Sequence, residues 1–138
     1  MQIETIHPEQ FNDVIRLWET TVRACYEYYS EQHIEDIKQR VVTRQLDNLT
    51  LRAVHNLEGE MVGFIGTRNS KIAMLFIHPE SQRQGFGRAL VRYAVELLHC
   101  DHLEVDYRNI NAIVFYRRLG FTILKSGDNT PPLVVMQK

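Results

Sequence analysis

The stretch Leu75-Phe76-Ile77-His78-Pro79-Glu80-Ser81-Gln82-Arg83-Gln84-Gly85-Phe86-Gly87-Arg88-Ala89-Leu90 decides the fold. It opens on the end of a nearly continuous apolar run, Lys71 to Ile77, which reads as a central strand buried on both faces. A polar loop, His78 to Gln84, follows. Leu90, Val91, Ala94, Leu97 and Leu98 then recur at helical spacing and predict a helix from about Gly85 to His99. Gly85 and Gly87 remove Cβ where main chain must approach a ligand. The first N–H groups of a helix have no partner inside it, and that end carries about half a positive charge. Arg83 and Arg88 add formal charge beside it. A diphosphate suits such a strand–loop–helix junction. A plain tight turn accounts for the two glycines equally well.

Toward the N-terminus, Gln2 to Ile6 reads as a short strand, and Pro8 suits the first turn of a helix. Phe11, Val14, Ile15, Trp18 and Val22 form one helical face, with Trp18 expected in the core. Ser30 should cap a second helix from about Glu31 to Asp47, whose stripe is Ile34, Ile37, Val41 and Leu46. Thr50 to His55 and Met61 to Arg68 read as strands around the turn Asn56-Leu57-Glu58-Gly59. Beyond the glycine loop come a strand, His102 to Tyr107, and a helix, Asn109 to Leu119, stopped by Gly120. Phe121 to Lys125 and Leu133 to Gln137 are the last strands, joined by Ser126 to Pro132. The order βααβββαβαββ predicts an α/β domain with a mixed sheet and a crossover around the third helix.

A length of 138 residues favours one domain, residues 1–138. Apolar residues at 44% can bury a core, and a net charge of −1 argues against a broad nucleic-acid surface. The apolar runs are far too short for a membrane span, and the first residues lack the pattern of a signal peptide. Cys25 and Cys100 stand alone, and the group His99, Cys100, Asp101 and His102 has no metal-ligand spacing, so no metal is expected. A cytoplasmic protein, monomer or homodimer, with no nucleic-acid or membrane partner, is the expectation.

Three phosphate motifs fail on the glycine loop. A P-loop needs Gly-Lys followed by Ser or Thr, whereas Gly87 precedes Arg88-Ala89. A dinucleotide fingerprint needs a third glycine where Leu90 stands, and Gly85 comes eight residues after Ile77 instead of directly after the strand. The kinase glycine loop lacks its catalytic and metal-binding partners. What remains is Gln82-x-x-Gly85-x-Gly87, which resembles the pyrophosphate loop of the GCN5-related N-acetyltransferases (GNAT). Leu75-Phe76-Ile77-His78-Pro79-Glu80 is similar to that family's fourth strand and its exit. Leu103-Glu104-Val105, Asn109, Asn111-Ala112 and Phe115-Tyr116-Arg117-Arg118-Leu119-Gly120-Phe121 resemble its second motif. Trp18, Val22, Ala24, Tyr28 and Ser30 also resemble a small bacterial member. The resemblance covers most of the chain.

It implies acetyl-coenzyme A in a cleft between splayed strands 4 and 5, here Lys71 to Ile77 and His102 to Tyr107. Leu75, Phe76 and Ile77 would lie along the pantetheine arm, with main-chain pairing by Leu75 and Ile77. Gln82, Arg83, Gln84, Gly85, Phe86, Gly87 and Arg88 would hold the diphosphate. A main-chain N–H near Leu75 would polarise the thioester carbonyl. Tyr116 matches the tyrosine that protonates the leaving thiolate, although packing beside Phe115 is its plainer role. Asn109 would cap the fourth helix and, with Asn111 as second candidate, touch the cofactor.

The acceptor is less legible. An alkylammonium is neutral in about one molecule in 2,500 at pH 7, so a base or water relay is required. The fourth strand offers no acid, and Glu104 on the fifth is the candidate base unless it turns to solvent. Tyr26, Tyr28 and Tyr29, with Glu27 and Glu31 among them, suit the wall of a cationic amine pocket. Ser126 to Pro132 would form the far wall. The expected activity is direct acetyl transfer to a primary amine of a small molecule or peptide. A non-catalytic acyl-coenzyme A sensor and a nucleotide-binding module are the other readings.

Overall fold

The computed structural model describes residues 2–126 and 133–138, excepting the side chains of 41–43 and 125–126. Seven strands form one sheet: β1 Ile3–Thr5, β2 Thr50–His55, β3 Met61–Arg68, β4 Lys71–Ile77, β5 His102–Asp106, β6 Thr122–Ser126 and β7 Leu133–Gln137. Their order across the sheet is β1-β2-β3-β4-β5-β7-β6. Neighbours are antiparallel except β4 and β5, which run parallel. Helices α1 Phe11–Cys25 and α2 Glu31–Ile37 cover one face; α3 Phe86–Leu97 and α4 Ile110–Arg118 cover the other.

The α1 stripe buries Val14, Leu17, Trp18 and Val22 against Phe64 and Met74 of the sheet. Trp18 is core, as its spacing predicts. Ser30 Oγ accepts from His33 N and caps α2. The predicted helix to Asp47 is not continuous. After Ile37 the chain passes through a π-type segment, Lys38–Val42, a short helical turn, Thr43–Gln45, and a 3₁₀ turn, Leu46–Asn48. These changes of pitch keep Ile34 and Leu46 on the same core, although their spacing does not fit one regular helix. On the other face Leu90, Val91 and Ala94 of α3 are buried, whereas Leu97 on the last turn is exposed.

β4 carries a bulge at Ala73. Thr67 pairs with Ile72 and Gly66 with Met74, leaving Ala73 as the extra residue. Plain alternation would put Ile72 and Met74 on one face. Instead Ile72 joins the core under α3 and α4, and Met74 the core under α1 and α2. β4 is therefore not uniformly buried: Ala73 is exposed, and Leu75, Phe76 and Ile77 are half-buried. That half of the strand lines an opening in the sheet.

Candidate functional site

The opening lies between β4 and β5. The two strands pair at Lys71 with His102 and Ile72 with Leu103, and at no later position among the described residues. Past the bulge they separate. Antiparallel pairs alternate between hydrogen-bonded and non-bonded. His78 N donates to Val62 O at 2.8 Å, and in the same register Phe76 faces Phe64 and Leu75 faces Ile65. Met74 and Phe76 thus spend their main-chain groups on β3. Leu75 and Ile77 turn theirs the other way, into the opening. The Ile77 carbonyl accepts from Gln82 Nε2 at 3.0 Å.

The loop beyond β4 ends at the α3 N-terminus. Gly85 has φ +91° and is the N-cap, with no side-chain cap, and a Cβ there would meet nothing within 4 Å. Its glycine is required by conformation, and the space around it is open. Gly87 differs, because a Cβ there would stand 3.3 Å from Phe115 Cζ and 3.6 Å from Ile77 Cγ1. Its missing side chain lets α3 pack closely on α4. Arg83 adopts φ +64°, a left-handed backbone held by a non-glycine residue. Arg83, Gln84 and Arg88 are exposed around the uncapped helix end, and Gln84 Nε2 donates to Glu80 O at 3.3 Å. Beside α3, a cavity of about 210 Å³ is lined by Arg88, Arg92, Glu96, Arg118, Phe121 and Lys138 among others.

Tyr116 of α4 lies in the core that Leu75 and Ile77 pack against. It is buried, packs edge-on to Phe115 and Phe121, and lies within electrostatic reach of Tyr26. Burial pushes its hydroxyl well above the usual phenol range, so it stays protonated. Tyr26 Oη accepts from Asn109 Nδ2 at 3.4 Å, while Asn109 Oδ1 accepts from Ala112 N and caps α4. Burial raises the Tyr26 hydroxyl too. Tyr26, Tyr28 and Tyr29 form one cluster, with ring centroids 5.0–5.7 Å apart. Phe76 puts its ring between Phe64 and Tyr26.

Antiparallel strands set beside a parallel pair that splays, an uncapped glycine-bounded helix and a buried tyrosine form a defined pattern. A sequence profile for the acetyltransferase (GNAT) domain matches residues 8–130.

The chain belongs to the GNAT acetyltransferases.

The donor in this family is acetyl-coenzyme A. The chain is 27% identical to the peptidyl-lysine N-acetyltransferase YjaB of Salmonella typhimurium over 115 residues, covering 83% of this chain and 79% of that one. The solution structure of apo YjaB from Escherichia coli superposes with a TM-score of 0.84 at 24% identity, covering 99% of this chain and 95% of that one. The PaiA N-acetyltransferase of Thermoplasma acidophilum, in complex with coenzyme A, gives 0.77 at 19% identity over 100% and 99%. The fold, the family and the donor expected from the loop and second motif all hold.

Within this GNAT fold the sequence-predicted residues do not all converge. Leu75 and Ile77 line the opening, Gln82 is bonded to Ile77 and Asn109 to Tyr26 beside it, and Tyr116 stays in the core that Leu75 and Ile77 pack against. Asn111 is exposed on the first turn of α4. Glu104 lies on the sheet face opposite Leu103 and Val105, paired with Lys71 and partly exposed. The far wall expected at Ser126 to Pro132 falls, from residue 127 on, outside the described residues. Sequence reading missed Asp106 and Arg108. Their carboxylate and guanidinium pair at 2.6 Å beside Tyr28. The alternation of His102-Leu103-Glu104-Val105-Asp106 carried the signal, since Asp106 shares the polar face of Glu104.

Proposed function

We propose that this chain transfers the acetyl group of acetyl-coenzyme A directly to a primary amine, with the lysine side chain of a peptide as the favoured acceptor. The observation that carries this reading is the parting of β4 from β5 with the main-chain groups of Leu75 and Ile77 turned into the gap. The Leu75 groups and the Ile77 N–H offer a strand edge to the amides of a pantetheine arm, while the Ile77 carbonyl is held by Gln82. The free N–H groups of Phe86, Gly87 and Arg88, with Arg83, suit the diphosphate. The basic cavity at Arg88, Arg92, Arg118 and Lys138 suits the remaining phosphate of the nucleotide.

Bound there, acetyl-coenzyme A supplies an acetyl thioester. The Leu75 N–H steadies its carbonyl oxygen as charge gathers. Tyr116 holds a proton at Oη and would donate it in a hydrogen bond to the departing sulfur as negative charge builds there. Glu104, held by Lys71 beside the closed end of the opening, accepts the amine proton through water. The Tyr26, Tyr28 and Tyr29 rings form the acceptor wall. The lysine preference follows the names of the YjaB relatives and the aromatic character of that wall.

One observation favours a non-catalytic acyl-coenzyme A sensor. Both carboxylates on the polar face of β5 are paired with cations, Glu104 with Lys71 and Asp106 with Arg108. Thiol release from acetyl-coenzyme A against lysine peptides, polyamines and peptide N-termini separates the readings. Turnover with lysine peptides supports the first. Stabilisation by coenzyme A without transfer to any amine supports the second.

A further inference from the structure

The turn after β5 holds an ion pair, Asp106 with Arg108, that the proposed transfer does not use. Asp106 accepts from Arg108 three times, from the main-chain N at 2.9 Å, from Nε at 3.0 Å and from Nη2 at 2.6 Å. The Asp106 side chain is 9% exposed. The Arg108 guanidinium lies over the Tyr28 ring, 4.4 Å from its centroid. Tyr28 Oη is buried with no hydrogen-bond partner among the described residues. Tyr29 stands edge-on to both Tyr28 and His33.

A carboxylate beside aromatic faces is how proteins hold organic cations. Here a cation is already seated, and it belongs to the chain. The turn itself does not need it, because the main-chain N–H of residue 108 closes it whatever the side chain. Nη1 makes no hydrogen bond among the described residues, and the arginine side chain is 34% exposed. Its route out runs toward solvent, at the cost of its two side-chain bonds to Asp106. An anion would gain little from this arginine, since Asp106 already holds its fork and would repel a second carboxylate. An incoming ammonium has three N–H groups to share between the Asp106 carboxylate and the partnerless Tyr28 hydroxyl.

We propose that Asp106 and Tyr28 form the recognition site for the acceptor's ammonium group, and that Arg108 is an internal stand-in which an amine must displace. What happens to the amine next rests on the transferase reading; the cation site does not.

The test is titration with n-butylammonium chloride, read by thermal melting and tyrosine fluorescence. Sodium chloride controls for ionic strength and sodium butyrate for charge sign. Self-occupancy lowers apparent affinity by the fraction of time the site is vacant, so Arg108→Ala should bind butylammonium about ten-fold more tightly than wild type. Arg108→Met, which keeps an apolar stem over Tyr28, should do the same and covers the case in which the alanine variant folds poorly. Adding Asp106→Asn to either should abolish the response. Affinity no better than wild type in both variants overturns the proposal, as does a response that survives loss of Asp106, or one to butyrate that requires Arg108. No acetyl donor is present, so a protein that binds butylammonium but acetylates nothing contradicts the transferase reading alone.

Discussion

Asn109 Nδ2 donates to Tyr26 Oη across the opening between β4 and β5, at 3.4 Å, while the same side chain caps α4 through Oδ1. One residue thus joins the end of α1 to the start of α4 where the sheet itself is unpaired. Asn109→Ala loses the cap and should cost about 0.5–2 kcal/mol. Asn109→Asp keeps the cap acceptor, adds charge favourable to a helix N-terminus and removes the donor to Tyr26. Thermal denaturation should place the aspartate variant closer to wild type than the alanine variant. Equal losses would mean that the bridge, and not the cap, carries the stability.

The two loop glycines should respond differently to alanine. At φ +91° Gly85→Ala should destabilise by about 1–2 kcal/mol although its surroundings are open. Gly87→Ala gains about 1 kcal/mol of helix propensity and spends it pressing Phe115 at 3.3 Å, so it should melt near wild type. Denaturant titration of the pair checks this. The reverse order would contradict the assignment of conformation to one glycine and packing to the other.

Tyr116 should control rate more than donor affinity. Tyr116→Phe keeps the ring against Phe115 and Phe121 but removes the proton at Oη. The loss in kcat should be about 10²–10⁴-fold, with little change in KM for the donor. Burial raises this hydroxyl, so it should not titrate near the ordinary pH of 10. The wild-type kcat profile should show no alkaline fall there that Tyr116→Phe removes. A phenylalanine variant as fast as wild type at neutral pH would rule the acid out.

Acid should weaken the fold partly through Asp106. Arg108, by hydrogen bonding and charge, holds its carboxyl below the ordinary carboxylate range. A depressed folded pKa gives stability that is full above the unfolded value, about 3.9, and fades as pH falls below it. Asp106→Asn should be less stable than wild type at pH 6, and the difference should shrink below pH 4. Melting temperatures at the two pH values measure this, and a constant difference would show that the charge is not what matters.

Much of the fold was legible because local chemistry specifies it. Ser30 and Asn109 accept from the residues three positions on, as caps do. Gly59 and Gly120 take positive φ where their turns require it. The alternation from His102 to Asp106 places Leu103 and Val105 in the core. The Ala73 bulge was not legible, since an inserted residue has no period, yet it turns Met74 to the opposite layer from Ile72 and lies where the strands part. Nor was the breakdown of the helix after Ile37, where tertiary packing of Leu46 overrides a regular pitch. At the site, the glycine loop and Tyr116 were readable as a motif. Arg108 on Tyr28 was not, because the contact joins loops far apart in sequence that only the folded sheet brings together.

Main-chain groups at the parted edge of β4 and at the start of α3 are proposed to hold acetyl-coenzyme A. Amide chemical shifts during titration with acetyl-coenzyme A test it most directly. Saturable shifts are expected at Leu75, Ile77 and Gly85 to Arg88, with smaller changes elsewhere in the sheet. Saturable binding that leaves these amides unmoved, or no binding at millimolar donor, would contradict it.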